Sequence, residues 1–199
     1  MILQLHKINK VEISQEIMKV MIIPGNGKTD ISENWFPYVK QGLENLGIRV
    51  IAKNMPDPIL ARKRYWLPFI EKNLGSDKEA ILIGHSSGAV AALRYMETHR
   101  VLGAVLVGAC YTDLGDEKEK ASGYYDSPWN WNKIRNNSKW IVQFASKNDP
   151  YIPIEDARFI HDKLNTGYHE YPDGGHFGSD VGKKEFPEII ASIKRKLKI

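Results

Sequence analysis

The chain is expected to adopt an α/β fold, with a mainly parallel six-stranded sheet and helices on both of its faces. Three features of its 199 residues predict this. Six short runs are rich in apolar or β-branched residues. Longer amphipathic stretches alternate with them, and turns containing Gly, Pro, Asn or Asp separate the two. Several of the short runs are continuously apolar, as strands buried on both faces are. Interleaved with helices, such strands specify a parallel sheet covered on each side.

The elements follow in order. Residues 20–23 form an apolar run that ends in Pro24-Gly25-Asn26-Gly27, a strand and its turn. Residues 33–46 predict a helix with Trp35, Val39, Leu43 and Leu46 on one face, and residues 48–52 a second strand. Met55-Pro56-Asp57-Pro58 forces a loop, and residues 60–74 predict a helix interrupted at Pro68. Residues 80–83 are the third strand, 87–97 an Ala-rich helix and 101–107 the fourth strand. Residues 140–144 and 168–171 supply the last two strands, and 154–164 and 185–197 the last two helices. One long connection, residues 110–137, carries Tyr111, Tyr124, Tyr125, Trp129 and Trp131. A connection of that length in a small domain is usually functional or holds short helices of its own.

Composition narrows the class. Hydrophobic residues are 42% and charged residues 26% of the chain, the balance of a globular protein large enough to bury a core. The net charge of +4 comes from 28 Lys and Arg scattered among 24 Asp and Glu, which is not the basic stripe of a nucleic-acid binder. Cys110 is the only cysteine, so no internal disulfide forms and a reducing, cytoplasmic setting is expected. No apolar run reaches the ~20 residues of a membrane helix, so no membrane association is expected. Residues 1–18 lack a secretory signal pattern and are read as an N-terminal extension without an assigned role, and residues 19–199 as a single domain.

The chemistry centres on Gly84-His85-Ser86-Ser87-Gly88, a G-x-S-x-G motif with a strand before it and a helix after it. That context turns the motif into a nucleophile elbow of the α/β-hydrolase kind. The turn is so sharp that side chains two residues either way would collide, hence the flanking glycines. It holds Ser86 at the carboxyl edge of the sheet, where open α/β folds bind ligands. Ser87 is the competing hydroxyl, but it lies off the motif centre.

A serine hydroxyl needs a base, and in this fold the chain order is Ser, then Asp or Glu, then His. Of six histidines only His176 lies in a loop after the last strand, within Asp173-Gly174-Gly175-His176-Phe177. The carboxylate that orients it is expected to be Asp149, in the loop after the fifth strand, with Asp173 as competitor. An Asp-Pro turn is the plainer role for Asp149. The oxyanion donors are expected from the backbone N–H of Ser87 and of Asn26 or Gly27. Gly27-Lys28-Thr29 imitates the end of a phosphate-binding loop, but Ile22 stands where that motif needs its first glycine. No metal site and no cofactor are expected, since the histidines lack ligand spacing and there is no Cys pair.

With these residues identified, the sequence resembles the serine hydrolase family known as retinoblastoma-binding protein 9, from Val20 onward. The segments that carry the resemblance include Pro24-Gly25-Asn26-Gly27, Ala52-Lys53-Asn54-Met55-Pro56-Asp57-Pro58 and Ile83-Gly84-His85-Ser86-Ser87-Gly88-Ala89. Tyr95-Met96-Glu97-Thr98-His99-Arg100, Asp113-Leu114-Gly115-Asp116-Glu117, Ala121-Ser122-Gly123-Tyr124 and Ile141-Val142-Gln143-Phe144 extend it. It implies a compact α/β-hydrolase with little or no lid domain and a triad of Ser86, Asp149 and His176. It also implies hydrolysis of small ester and amide substrates, aminoacyl ones included. The family's Leu-x-Cys-x-Glu segment is Leu74-Gly75-Ser76-Asp77-Lys78 here. With its Cys and Glu replaced, binding of retinoblastoma-type pocket proteins is not expected to be inherited.

The expected function is therefore hydrolysis of a small ester or amide through an acyl-enzyme on Ser86. A rival reading keeps the fold as a scaffold for a protein partner, against which the retention of Ser86, Asp149 and His176 counts. Trp35, Trp129 and Trp131 are candidate pocket walls, although plain core packing is the commoner role of such residues.

Overall fold

The computed structural model describes residues 18–75 and 77–199. The expected extension, apart from Met18, and Ser76 of the Leu74-to-Lys78 segment lie outside the described residues. Six strands form one sheet: β1 (Lys19–Ile23), β2 (Arg49–Ala52), β3 (Ile81–His85), β4 (Val101–Val107), β5 (Ser138–Ser146) and β6 (Gly167–Tyr171). They lie in the order β2-β1-β3-β4-β5-β6, and every pair is parallel. The chain winds outward from β1 to β2, returns to the far side of β1 as β3, and continues away from it. The order thus reverses between β1 and β3, and the crevice at their carboxyl ends is where such sheets take ligands.

Alternation along the strands sorts the core into two halves. Val20, Ile22, Ile81 and Ile83 pack with Phe36, Val39 and Leu43 of α1 (Phe36–Glu44) and Ile189 and Ile193 of α7 (Pro187–Leu197). Met21, Ile23 and Leu82 face the other way. They meet α2 (Lys63–Leu74), α3 (Ser87–Met96), α5 (Trp131–Asn136) and α6 (Ile154–Leu164). Every residue of α3 is buried, as expected of a helix that crosses the middle of the sheet.

Besides α7, which opens at Pro187 and not at residue 185, two helices begin later than the apolar pattern predicts. Asn34 takes φ 50° and Pro37 opens α1, so the chain turns through residues 31–35 before the helix can start. Asp57 and Ala61 also have φ near 50°, and the Asp57 carboxylate accepts hydrogen bonds from the Arg62 backbone and guanidinium, so α2 starts at Lys63. Pro68 lies within α2 without dividing it.

The long connection after β4 holds two short helices, α4 (Glu117–Ser122) and α5. Arg94, 4% exposed on α3, fastens it. Its guanidinium donates to the carbonyls of Tyr124, Ser127 and Pro128 and to the Glu97 carboxylate, and lies 3.6 Å from the centroid of the Trp129 ring. A buried arginine is tolerated only with its donors satisfied and its charge paired, and the connection supplies the carbonyls that do so. No helix among the described residues is long and apolar enough to cross a membrane.

Candidate active site

Between β3 and α3 the chain turns at Ser86, with φ 55° and ψ −125°. A non-glycine residue there is strained, and such strain persists only where surrounding contacts fix it. The Ser86 amide donates to the Val107 carbonyl at 2.9 Å, and its carbonyl accepts from the amides of Ala89 and Val90. A Cβ on Gly84 would stand 2.6 Å from the backbone of Ala89, and one on Gly88 would stand 2.6 Å from the Pro24 carbonyl. Both glycines of the motif are therefore required by close approach. Ser86 retains partial exposure, whereas Ser87 Oγ is buried with no hydrogen-bond partner among the described residues.

His176 lies in the loop after β6, 8% exposed. Three neighbours hold it. Its backbone N–H donates to Asp180 Oδ2 at 2.6 Å, its carbonyl accepts from His85 Nε2–H at 2.7 Å, and its Nδ1–H donates to Asp149 Oδ2 at 2.7 Å. That leaves Nε2 as the ring nitrogen without a partner among the described residues. Asp173 is exposed and takes no part. Asp149 Oδ1 meanwhile accepts from the amides of Tyr151 and Ile152, so both roles expected for this residue, turn-former and histidine partner, are filled by one carboxylate.

The elbow and the histidine loop meet at two places. His85, next to Ser86, makes the bond to the His176 carbonyl, and Gly108 follows the Val107 that accepts from Ser86. A Cβ on Gly108, which has φ 56°, would stand 3.0 Å from His176 Cε1, 3.2 Å from its Nδ1 and 3.6 Å from Asp149 Oδ2. The end of β4 is thus a glycine floor beneath the imidazole and carboxylate. Burial first, and the neighbouring His176 second, push the His85 pKa down to about 3, so His85 is neutral and serves as a hydrogen-bond donor. Its ring packs against Trp35 and Phe36.

Across the crevice, the turn after β1 backs onto the serine. A Cβ on Gly25 would lie 3.1 Å from Ser86 Cβ. Asn26 follows, its carbonyl held by Thr29 Oγ1 at 2.7 Å and its side-chain amide donating to Glu119 Oε1 at 2.7 Å. The backbone amides of Asn26, Gly27 and Ser87 donate to no acceptor among the described residues. Such unpartnered amides at the head of a helix and on a facing turn suit an oxygen that gains negative charge.

Of the aromatic residues considered as pocket walls, Trp35 is fully buried against Phe36, His85 and Phe186. Trp129 and Trp131 stack on each other and line a groove of about 530 Å³ between the connection and α6, with Arg135 and Lys163, outside the Ser86 and His176 surroundings. Sequence reasoning missed His85, Gly108, Asp180 and Glu119. The flanking position of His85 in the motif and the Gly108 that ends an apolar strand were the available signals.

Comparison with known proteins bears on the fold and the family. A family model described as serine hydrolase matches residues 20–195. The serine hydrolase RBBP9 of Rattus norvegicus is 46% identical over 181 residues, covering 90% of this chain and 95% of its own. Among solved structures, the ydeN gene product of B. subtilis superposes with a TM-score of 0.84 at 24% identity, covering 92% of this chain and 100% of that one. Alpha/beta hydrolase domain-containing protein 10 from mouse does so with a TM-score of 0.68 at 14% identity, covering 90% and 89%. These two likenesses concern the fold, which is that of a compact α/β-hydrolase. The family match and the rat relative go further: the chain belongs to the serine hydrolase family and is a hydrolase.

Proposed function

We propose that the protein cleaves small carboxylic esters and amides, aminoacyl derivatives included, through an acyl-enzyme on Ser86. The observation that carries this reading is the 2.7 Å bond from His176 Nδ1–H to Asp149 Oδ2, with Nε2 left unpartnered in a loop tied to the elbow of Ser86. In the reaction, His176 Nε2 takes the Ser86 proton as Oγ adds to the substrate carbonyl carbon. Asp149 holds the tautomer and stabilises the imidazolium. The carbonyl oxygen, now negative, receives the N–H groups of Ser87 and of Asn26 or Gly27. Collapse expels the alcohol or amine, which takes the proton from His176. Water, deprotonated by the same nitrogen, then releases the carboxylic acid and restores Ser86.

A short aliphatic p-nitrophenyl ester tests the reading, since the reaction releases a coloured phenolate. The intact protein is expected to turn it over with a burst of one phenolate per chain. Ser86→Ala and His176→Ala are each expected to lose at least about 10³-fold in kcat, as triad members act as a unit. Turnover by Ser86→Ala equal to that of the intact protein would overturn the assignment.

A further inference from the structure

Glu119 does not do what its position in α4 prescribes. Asp116 caps that helix, its carboxylate accepting from the amides of Lys118 and Glu119. A glutamate three residues after such a cap ordinarily reaches back to the cap's own amide. Here the Asp116 amide is taken by the Asp113 carbonyl at 2.9 Å. The Glu119 carboxylate instead turns inward and crosses to the β1 turn, 93 residues away in sequence. Oε1 accepts from Asn26 Nδ2 at 2.7 Å and Oε2 from the Tyr125 hydroxyl at 3.4 Å. The Tyr125 oxygen lies 3.3 Å from Cys110 Sγ. Burial raises the Cys110 thiol to about 12, so it keeps its proton, and with the single Tyr125 proton given to Glu119 the thiol is left to donate to Tyr125.

The protons in this chain run one way, from thiol to phenol to carboxylate and from the Asn26 amide to the same carboxylate. Glu119 is the acceptor on which all of them end, and no cation lies within ion-pairing distance of it among the described residues. Burial raises its own pKa, so its ionised form is held at a cost to stability. At one end of the chain stands Asn26, whose backbone N–H is a candidate oxyanion donor. At the other stands Cys110, two residues beyond the Gly108 floor of the His176–Asp149 pair. Asn26 is otherwise fixed through its carbonyl by Thr29, so the side-chain bond to Glu119 is the second point that sets the direction of its amide.

We infer that Glu119 is a positioning residue, a brace from the β4–β5 connection that aims the Asn26 N–H at the oxyanion. The inference rests on the acyl-enzyme reading above. It touches neither substrate nor reacting atoms; it acts through Asn26, so its effect belongs in the transition state and not in ground-state binding.

The test is steady-state kinetics on a neutral and on a cationic p-nitrophenyl ester, with thermal melts of each variant. Glu119→Ala is expected to lower kcat roughly 10–100-fold, short of the ~10²–10³ lost with a whole oxyanion donor, and to leave KM within about twofold. Glu119→Gln keeps an acceptor for Asn26 and removes the buried charge. It is expected to lose only a few-fold in kcat and to melt no lower than the intact protein, which keeps the test valid if the alanine variant folds poorly. Asn26→Ala is expected to match Glu119→Ala, and the double variant to lose no more than either alone, because both break one link. Additive losses, unchanged kcat in Glu119→Ala, or a loss confined to substrates that carry a cation would each overturn the brace. The last outcome would make Glu119 a substrate-binding group. Absence of turnover by the intact protein would instead remove the acyl-enzyme reading, and the brace with it.

Discussion

The two sides of the crevice are held by different means. On the histidine side, His176 is fastened at its N–H, its carbonyl and its Nδ1 by bonds of 2.6–2.7 Å, over a glycine floor in the centre of the sheet. On the other side, the Asn26 turn is partly exposed and hangs on Thr29, on the Pro58 carbonyl that accepts from the Lys28 amide, and on one carboxylate from a distant connection. In the proposed reaction the base must meet one proton along one line, which suits a redundant and buried frame. A turn that must admit a substrate cannot be buried in the same way. It takes its rigidity from a segment that also borders the site.

The comparison is broken most severely at Asp149. Asp149→Asn keeps the turn bonds but presents the wrong group to Nδ1, and kcat is expected to fall by roughly 10⁴-fold in ester hydrolysis. A fall of less than tenfold would mean that the carboxylate orients nothing. His85 offers a milder break. His85→Ala removes the donor to the His176 carbonyl, and a misplaced base is expected to cost about 10–100-fold in kcat with little change in KM. His85→Gln, whose amide reaches the position of Nε2, is expected to recover most of that loss. Equal loss in both variants would refer the effect to core packing.

His85 also gives a pH signature. Its folded pKa of about 3 lies below the ordinary histidine value of 6.5, so the unfolded chain binds more protons between these values. Its contribution to stability is therefore complete above pH 6.5 and is lost as the pH falls toward 3. Thermal melts across that window are expected to decline more steeply for the intact protein than for His85→Gln.

Most of the frame was legible in the sequence. The central strands were visible because buried parallel strands read as continuous apolar runs, and the connection after β4 declared itself by length. The start of α1 was not, because the apolar period runs on through Trp35 although Asn34 and Pro37 turn the backbone. Ser86 was legible from local crowding, since Gly84 and Gly88 answer to contacts within or beside the elbow. Asp149 and His176 were expected from chain order, and the structure brings them together and leaves Asp173 outside. His85 and Gly108 left only faint local signals and Asp180 and Glu119 none, for one reason. Their partners are set by tertiary geometry, and the Glu119 position in particular suggests a local capping role that it does not fill.

The proposed reaction requires Ser86 to be an activated nucleophile. A fluorophosphonate probe tests it directly, because phosphonylation needs an ionisable serine beside a base and an oxyanion site, whatever the natural substrate is. The intact protein is expected to take one label, which peptide mapping places on Ser86, and Ser86→Ala is expected to abolish it while Ser87→Ala does not. A folded intact protein that takes no label, or a label that survives Ser86→Ala, would contradict it.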